Sequence, residues 1–229
     1  GMGTGGQVLA SLRDYEQAQQ PGYLWMPLLQ GEHISTDYAL LQGEPVWWRH
    51  TLGHPLPGGR FDYWEVQVQP RPALEATCCA WLRTHLPGYS GMVNLETIGG
   101  TIIEGHLRFS DQWPDLYGAG WVQHLVELYQ GGNWTWRDEA ARAGFSVVLF
   151  SQHGEPVQPP HPGQVDALRR RPGISSIQIT FHGDRDPSWH AMPPGGFRLA
   201  IVNCRDLAQG RAVRARLAEL FGVNPPHAA

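Results

Sequence analysis

The sequence contains no lysine, because all 17 of its basic residues are arginine. Chemistry that depends on a lysine ammonium group, such as Schiff-base formation or a lysine clamp on phosphate, is therefore excluded for these residues. The net charge of −4 provides no basic footprint for nucleic acid, so we expect no nucleic-acid partner. No apolar run approaches the roughly 18–20 residues of a membrane span, so we also expect no membrane partner and a cytoplasmic location.

Cysteine is scarce as well, with three residues in a chain of 229. Cys78 and Cys79 are adjacent and Cys204 is distant, so they match neither a disulfide framework nor a zinc-finger spacing. What the sequence does have is 41% hydrophobic and 17% charged residues, which is enough to build a folded core. The length suits one large domain or two small ones.

The hydrophobic pattern predicts an α+β fold in which strands alternate with helices. Helices are predicted near residues 11–19, 72–86, 121–129 and 206–221. Strands are predicted near residues 23–29, 33–41, 46–51, 61–68, 145–150, 177–181 and 197–204, with a strand–turn–strand unit over residues 92–108. Short strands dominate beyond residue 144. We therefore expect a first domain at residues 1–140 and a small β-rich C-terminal subdomain at 141–229 that ends in a helix.

The strand–turn–strand unit at residues 92–108 alternates polar and apolar side chains. Because neighbouring side chains on a strand point to opposite faces, the register decides which residues meet. A three-residue loop at residues 98–100, with Gly100 in the left-handed conformation, would pair Asn94 with Glu104 and Glu96 with Ile102. One face would then carry Asn94, Glu96, Glu104, His106 and Arg108. A two-residue loop would instead send Glu96 and Glu104 to opposite faces.

Two carboxylates that converge beside a histidine and an arginine indicate a cation between them, since like charges are costly to bring together. Oxygen ligands favour magnesium or manganese over zinc, and an arginine suits phosphate or carboxylate. The same alternation is also typical of a solvated sheet face without any metal. Spacing alone leaves both interpretations open.

The unit resembles the metal-binding hairpin of the ATP-grasp superfamily, in which one acidic residue precedes the turn and a Glu-x-Asn-x-Arg string follows it. Glu96 matches the first acid, Glu104 the second and Arg108 the arginine. The resemblance implies Glu96, Glu104 and His106 as ligands of Mg²⁺ or Mn²⁺ and Arg108 as a catalytic residue. His106 stands where the family has asparagine, which indicates either a preference for manganese or the loss of a working site.

Two upstream segments are similar to the same superfamily. Residues 26–37 resemble the interdomain segment that holds adenine and ribose, and residues 3–8 resemble the glycine-rich loop over the phosphates. The cofactor-binding residues that the resemblance implies are Gly5, Gly6, Met26, Leu28, Leu29 and His33. It implies an ATP-grasp-like antiparallel sheet with flanking helices, ATP as cofactor, and ligation of a small-molecule carboxylate to an amine through an acyl-phosphate.

The sequence departs from the family upstream of these motifs, where family members carry nucleotide-contacting lysines. Three expectations follow. The first is that the reading frame is too short and the full protein is an ATP-dependent ligase. The second is that the chain is a non-catalytic binding or assembly module. The third is that another chain supplies the missing half of the nucleotide site. Ten tryptophans exceed the usual content of a core of this size. Some of them, such as Trp47, Trp48, Trp134 and Trp136, would cover apolar surface that an absent domain or a second subunit would otherwise bury, and we expect a homodimer.

Overall fold

The computed structural model describes residues 7–137, 141–185 and 195–224, and the structural statements below concern these residues. They form one eight-stranded sheet in the order β5-β4-β1-β2-β3-β6-β8-β7, with antiparallel pairing throughout. The strands are β1 His33–Leu41, β2 Glu44–Leu56, β3 Arg60–Val66, β4 Gly91–Ile98, β5 Thr101–His106, β6 Gly144–Ser151, β7 Ile174–Ile179 and β8 Phe197–Cys204. The helices are α1 Leu12–Ala18, α2 Pro72–His85, α3 Trp121–Gly131, α4 Pro162–Arg169, α5 Leu207–Phe221 and a 3₁₀ turn at Pro114–Leu116. The predicted α+β class is confirmed.

Local sequence signals explain several of these elements. The Ser11 side chain accepts a hydrogen bond from the backbone N–H of Asp14 at 3.1 Å and caps α1. Pro72 opens α2, where a proline loses no helical hydrogen bond, and the apolar residues Leu74, Cys78 and Leu82 are buried at helical spacing. Both predicted helices are confirmed.

One strand predicted from local composition is absent from the structure, and one helix was not predicted. Residues 23–29 form no strand, because an apolar run does not by itself supply a neighbouring strand to pair with its backbone. Between β6 and β7, Pro162 begins α4, a helix that the sequence pattern does not predict. The His161 side chain accepts from the Gly163 N–H at 3.2 Å, and Gln164 accepts from the His161 N–H at 3.1 Å. Histidine is not among the residues that normally signal a helix start, so this cap was missed.

The hydrophobic core is divided by the sheet. On one face, Tyr38 and Leu40 of β1 pack with Cys78 and Leu82 of α2. On the opposite face, Ala39 and a set of aromatic residues pack together with α3; these include Trp47, Trp64, Trp113 and Trp121. Helices α4 and α5 cover β6, β7 and β8 through a third cluster. The α3-side face of β1 and β4 is the one that carries the candidate site.

The sheet continues across residue 140, where the sequence predicts a domain boundary. Strand β3 pairs with β6, with Tyr63 opposite Val147. The α3-side cluster also includes Val148 and Phe150 from beyond the boundary. A division at residue 140 would therefore separate strands that share one sheet, and the two-domain assignment stays a prediction.

In the described residues, no helix combines the length and the apolar character needed to cross a membrane.

Candidate functional site

The hairpin formed by β4 and β5 turns through two residues, Gly99 and Gly100. Their φ angles of 57° and 84° are the left-handed values that a tight hairpin turn requires and that glycine adopts without strain. Ile98 therefore pairs with Thr101. The predicted three-residue loop is wrong, because both glycines take part in the tight turn instead of one of them forming a bulge.

A β-bulge next to this turn brings the two acidic residues together. Thr97 lies opposite Ile102, but the register then shifts so that Glu96 lies opposite Glu104. Ile103 is the extra residue, and it restores the shared face that a two-residue turn alone would have destroyed. Glu96 and Glu104 are therefore direct cross-strand neighbours.

Glu96, Glu104 and His106, which we call the hairpin triad, form the candidate metal centre. One potential ligand atom from each of the three side chains lies within 4.8 Å of the other two. The Nε2 atom of His106 is 3.2 Å from Oε1 of Glu104, and the two side chains are 29% and 32% exposed. The triad is thus accessible to an ion from solvent and is partly shielded by the protein.

His33 of β1 orients the carboxylate of Glu96 in the hairpin triad. Its Nε2 atom lies 3.0 Å from Oε2 of Glu96, and its ring packs edge-on against Phe61 and Trp64 with centroid distances of 5.2 and 5.4 Å. Burial raises the pKa of Glu96, but the hydrogen bond and charge of His33, together with the charge of His106, hold that pKa below its ordinary value. Glu96 is therefore ionised and oriented near neutral pH.

The donor set of the triad fits a divalent cation. Ligands on adjacent corners of an octahedron with bonds of about 2.1 Å lie about 3 Å apart, close to the separation of His106 and Glu104. The two carboxylates carry the negative charge that such an ion neutralises. The role of the triad residues as metal ligands stays a prediction.

Asp37 of β1 is a buried carboxylate on the same face that the sequence analysis did not single out. It accepts hydrogen bonds from Asn94 Nδ2 at 2.6 Å, from the Tyr117 hydroxyl at 2.6 Å, and from the Ser110 N–H at 3.0 Å to each oxygen. Burial raises its pKa to about 6 in spite of these donors. The available signal was its spacing, since residues 33, 35 and 37 alternate onto the face of the triad. Asp37 ties the segment after β5 to the centre of the sheet.

Arg108 lies just beyond the end of β5 and is exposed. Its Nη1 atom donates to the carbonyl oxygen of Phe109 at 3.1 Å, and its charge is among the influences that lower the pKa of Asp37. The structure thus places Arg108 on the segment that follows the hairpin, on the side of Asp37. Its catalytic role stays a prediction.

The predicted adenine-binding residues lie on an irregular segment before β1. Met26 and Leu28 are exposed, and Leu29 is half-buried. This segment meets the hairpin turn, where the N–H of Gly99 donates to the carbonyl of Glu32 at 3.0 Å. His33 is the member of the predicted nucleotide site that the structure brings to the triad. Gly5 and Gly6 lie outside the described residues.

A second polar cluster lies on the opposite face, under α2. His50 of β2 is buried between the hydroxyl of Thr36, at 2.9 Å, and Oε1 of Glu75, at 3.1 Å. Burial lowers the pKa of His50, although Glu75 opposes this effect. The cluster links two strands to α2, and Thr36 is completely buried. The arrangement is therefore a structural tie between elements.

Neither a protein-family model nor a curated protein sequence matches this chain. Solved structures do match its fold. The L-amino acid ligase from Bacillus licheniformis has a TM-score of 0.56 at 10% identity, with 87% of this chain and 55% of that chain covered. Phosphoribosylglycinamide synthetase from Anaerococcus prevotii has a TM-score of 0.57 at 9% identity, with the same two coverages. Carboxyaminoimidazole ribonucleotide synthase from Aspergillus clavatus, solved with ATP, has a TM-score of 0.54 at 8% identity, covering 86% of this chain and 51% of that one.

These matches show that the chain has the fold of ATP-grasp ligases, which confirms the fold that the sequence resemblance implies. The chain spans about half the length of the solved structures it matches. At these levels of identity the likeness is one of fold, and activity has to be argued from the site.

Proposed function

We propose that this chain forms the nucleotide- and metal-binding part of an ATP-dependent ligase that activates a carboxylate as an acyl-phosphate for attack by an amine. The observation that carries this proposal is the convergence of Glu96, Glu104 and His106 on one face of an ATP-grasp sheet. The names of two matched structures, an L-amino acid ligase and a synthase solved with ATP, support a nucleotide and small carboxylate or amine substrates.

In this proposal the hairpin triad holds a divalent cation, which the sequence predicts to be Mg²⁺ or Mn²⁺. When bound, such an ion neutralises charge on the phosphates of ATP. His33 keeps the Glu96 carboxylate ionised and oriented toward the site. The exposed guanidinium of Arg108 presents a planar set of donors that matches a phosphoryl or carboxylate group.

The same proposal assigns nucleotide contacts to the residues that the sequence resemblance implies. Met26, Leu28 and Leu29 hold the adenine ring, and His33 reaches the ribose. The resemblance also assigns the phosphates to Gly5 and Gly6, which lie outside the described residues. Because the chain has no lysine, phosphate charge is left to the metal and to arginine. Each missing charged hydrogen bond removes roughly 1.5–3 kcal/mol, so we expect this chain alone to bind ATP weakly.

The alternative function is a non-catalytic binding or assembly module, including a homodimer. The observation that favours it is the exposed apolar segment before β1, in which Leu24 and Trp25 are 99% and 75% exposed. Surfaces of this kind are typical of sites that another protein covers. This function would keep the fold and would not need the triad to bind a metal.

The two functions are distinguished by replacing Glu104 with glutamine, which removes a charge from the triad and preserves side-chain shape. We expect ATP to bind the wild-type chain only with a divalent cation present, and Glu104→Gln to weaken this binding by about tenfold or more. Isothermal titration calorimetry with ATP, with Mg²⁺ or Mn²⁺ and with a chelator, measures both effects. The unfolding transition should be unchanged, because Glu104 is only half-buried.

The matched control is Glu127→Gln on α3. Glu127 also lies beside a histidine, His124, at 3.0 Å, but outside the triad. It should leave ATP affinity unchanged. ATP binding that is insensitive both to the chelator and to Glu104→Gln would contradict the ligase proposal, as would no ATP binding at all, and either result favours the assembly module.

A further inference from the structure

We infer that the hairpin triad selects a divalent first-row transition-metal ion over magnesium, and that His106 is the residue that makes this selection. The inference rests on the proposed metal site and goes beyond it by naming the class of ion. It concerns the chemistry of one donor, since the two carboxylates alone would accept either kind of ion.

The donor atoms of the triad are of two kinds. Glu96 and Glu104 offer carboxylate oxygens, which suit magnesium, manganese and calcium. His106 offers an imidazole nitrogen, which suits transition ions and is a poor match for magnesium, because Mg²⁺ strongly prefers oxygen and retains its water. A transition ion would use all three donors of the triad, whereas magnesium would use two.

The geometry of the hairpin keeps the imidazole within reach of any ion bound by Glu104. Both residues lie on β5, two positions apart and on the same face, and Nε2 of His106 is 3.2 Å from the carboxylate of Glu104. Asn94 lies directly opposite His106 on β4, but its amide nitrogen is committed to Ser35 and Asp37 at 2.9 and 2.6 Å. Strand β5 therefore holds the imidazole nitrogen of His106 beside the carboxylate of Glu104.

Glu96 is also prepared as a ligand by a contact outside the triad. The 3.0 Å contact from His33 orients its carboxylate, in the way that histidines and carboxylates support metal ligands in other proteins. Because His33 also carries an imidazole, an experiment on His106 must separate the two rings. Variants of each histidine accomplish this.

The test compares the full-length wild-type chain with His106→Asn, which replaces the nitrogen donor by an amide oxygen. Calorimetric titration with MnCl₂, ZnCl₂ and MgCl₂ should show the wild type binding Mn²⁺ and Zn²⁺ at least about tenfold more tightly than Mg²⁺. In His106→Asn the preference for Mn²⁺ over Mg²⁺ should fall to within about threefold. Pulsed electron paramagnetic resonance of the Mn²⁺ complex should show ¹⁴N coupling in the wild type that is lost in His106→Asn and kept in His33→Gln.

Two controls keep the result interpretable. His124→Asn changes a histidine that lies beside a glutamate on α3, and it should leave all affinities unchanged. His106→Gln offers the amide oxygen on a longer side chain, and it serves if the asparagine variant does not fold.

Equal affinity for Mg²⁺ and Mn²⁺ in the wild type, or a Mn²⁺ complex without ¹⁴N coupling, would overturn the inference. The proposed function would stand after either result, provided that Glu104→Gln still weakens metal-dependent ATP binding. A wild-type chain that binds none of the three ions would overturn the inference and the proposed metal site together.

Discussion

Asp37 shows how a single buried carboxylate fixes a chain segment that has no regular structure. It receives donors from Asn94 on the neighbouring strand and from Ser110 and Tyr117 on the segment after β5. Trp113 extends the network, because its indole N–H donates to the Tyr117 hydroxyl at 2.8 Å. Burial destabilises the ionised carboxylate more than these hydrogen bonds stabilise it, so the pKa of Asp37 rises to about 6.

Replacing Asp37 with asparagine tests this residue through the pH dependence of stability. A carboxylate whose folded pKa lies above its unfolded value stabilises the fold fully below the unfolded value, and that contribution is lost as pH rises through the folded value. With a shift from 3.8 to about 6, the wild type should lose roughly 2 kcal/mol of unfolding free energy between pH 4 and pH 7 relative to Asp37→Asn. Urea unfolding across this pH range measures the difference.

The conclusion depends on the difference between the two proteins, because other groups also titrate in this range. His50, with its lowered pKa, changes stability in the opposite direction and is present in both. If the two curves run parallel from pH 4 to pH 7, Asp37 does not carry the raised pKa.

At the scale of elements, the sequence predicted some features of the β4–β5 hairpin and its neighbour β1 but not others. Alternation of polar and apolar residues predicted β1 at the observed residues and assigned Glu96 and Glu104 of the hairpin to one face. It did not predict the bulge at Ile103, because a one-residue insertion leaves no mark in a local apolar pattern. The correct face was therefore reached through a wrong loop length, and the bulge compensates for the difference.

The two turn glycines give a matched pair of substitutions. At Gly99 a Cβ atom would lie 2.2 Å from the carbonyl oxygen of Gln30, while at Gly100 it would meet open space; both residues have positive φ. Gly100→Ala should therefore cost about 1 kcal/mol of unfolding free energy from backbone strain alone. Gly99→Ala adds a clash with backbone and should cost roughly 3 kcal/mol.

Chemical unfolding of both variants measures these costs, and Mn²⁺ titration shows whether the turn positions the triad. We expect Gly99→Ala to weaken Mn²⁺ binding and Gly100→Ala to preserve it. Equal loss of stability in both variants would mean that the contact between the turn and Gln30 does not hold the hairpin in place.

On the scale of the whole molecule, the sheet and the aromatic core both cross the boundary that composition suggests at residue 140. The sequence pattern changes to short strands beyond residue 144, but this change does not mark a boundary in the sheet. Strand β3 pairs with β6, and such pairing depends on contacts between residues that are distant in sequence. Of the tryptophans expected at such a surface, Trp47 is buried in the α3-side cluster, Trp134 and Trp136 pack against that cluster, and Trp48 packs against the α2-side cluster. The core thus accounts for part of the high tryptophan content. The exposed apolar surface to which a partner could bind lies in another part of the molecule.

That surface is the segment from Tyr23 to Leu28 together with α1. Helix α1 has no buried residue, and Tyr15 contacts Trp25 with ring centroids 5.9 Å apart. Val8 and Leu12 are exposed beside the apolar residues of the segment. In the described part of the chain these side chains gain little burial, so their hydrophobic free energy is available to an association.

Under the alternative function, the predicted homodimer should form through this segment, and the double variant Leu24→Ser, Trp25→Ser should weaken it. Burial of one large apolar side chain contributes about 1.5–3 kcal/mol, so the dimer dissociation constant should rise by at least about tenfold. Sedimentation velocity over a range of concentrations measures the change. Val122→Ser is the matched control, since Val122 is an exposed apolar residue on α3 outside the segment. A wild-type chain that stays monomeric at high concentration would exclude a second copy as the partner, and the exposed segment would then be free for a different protein or for the adenine ring.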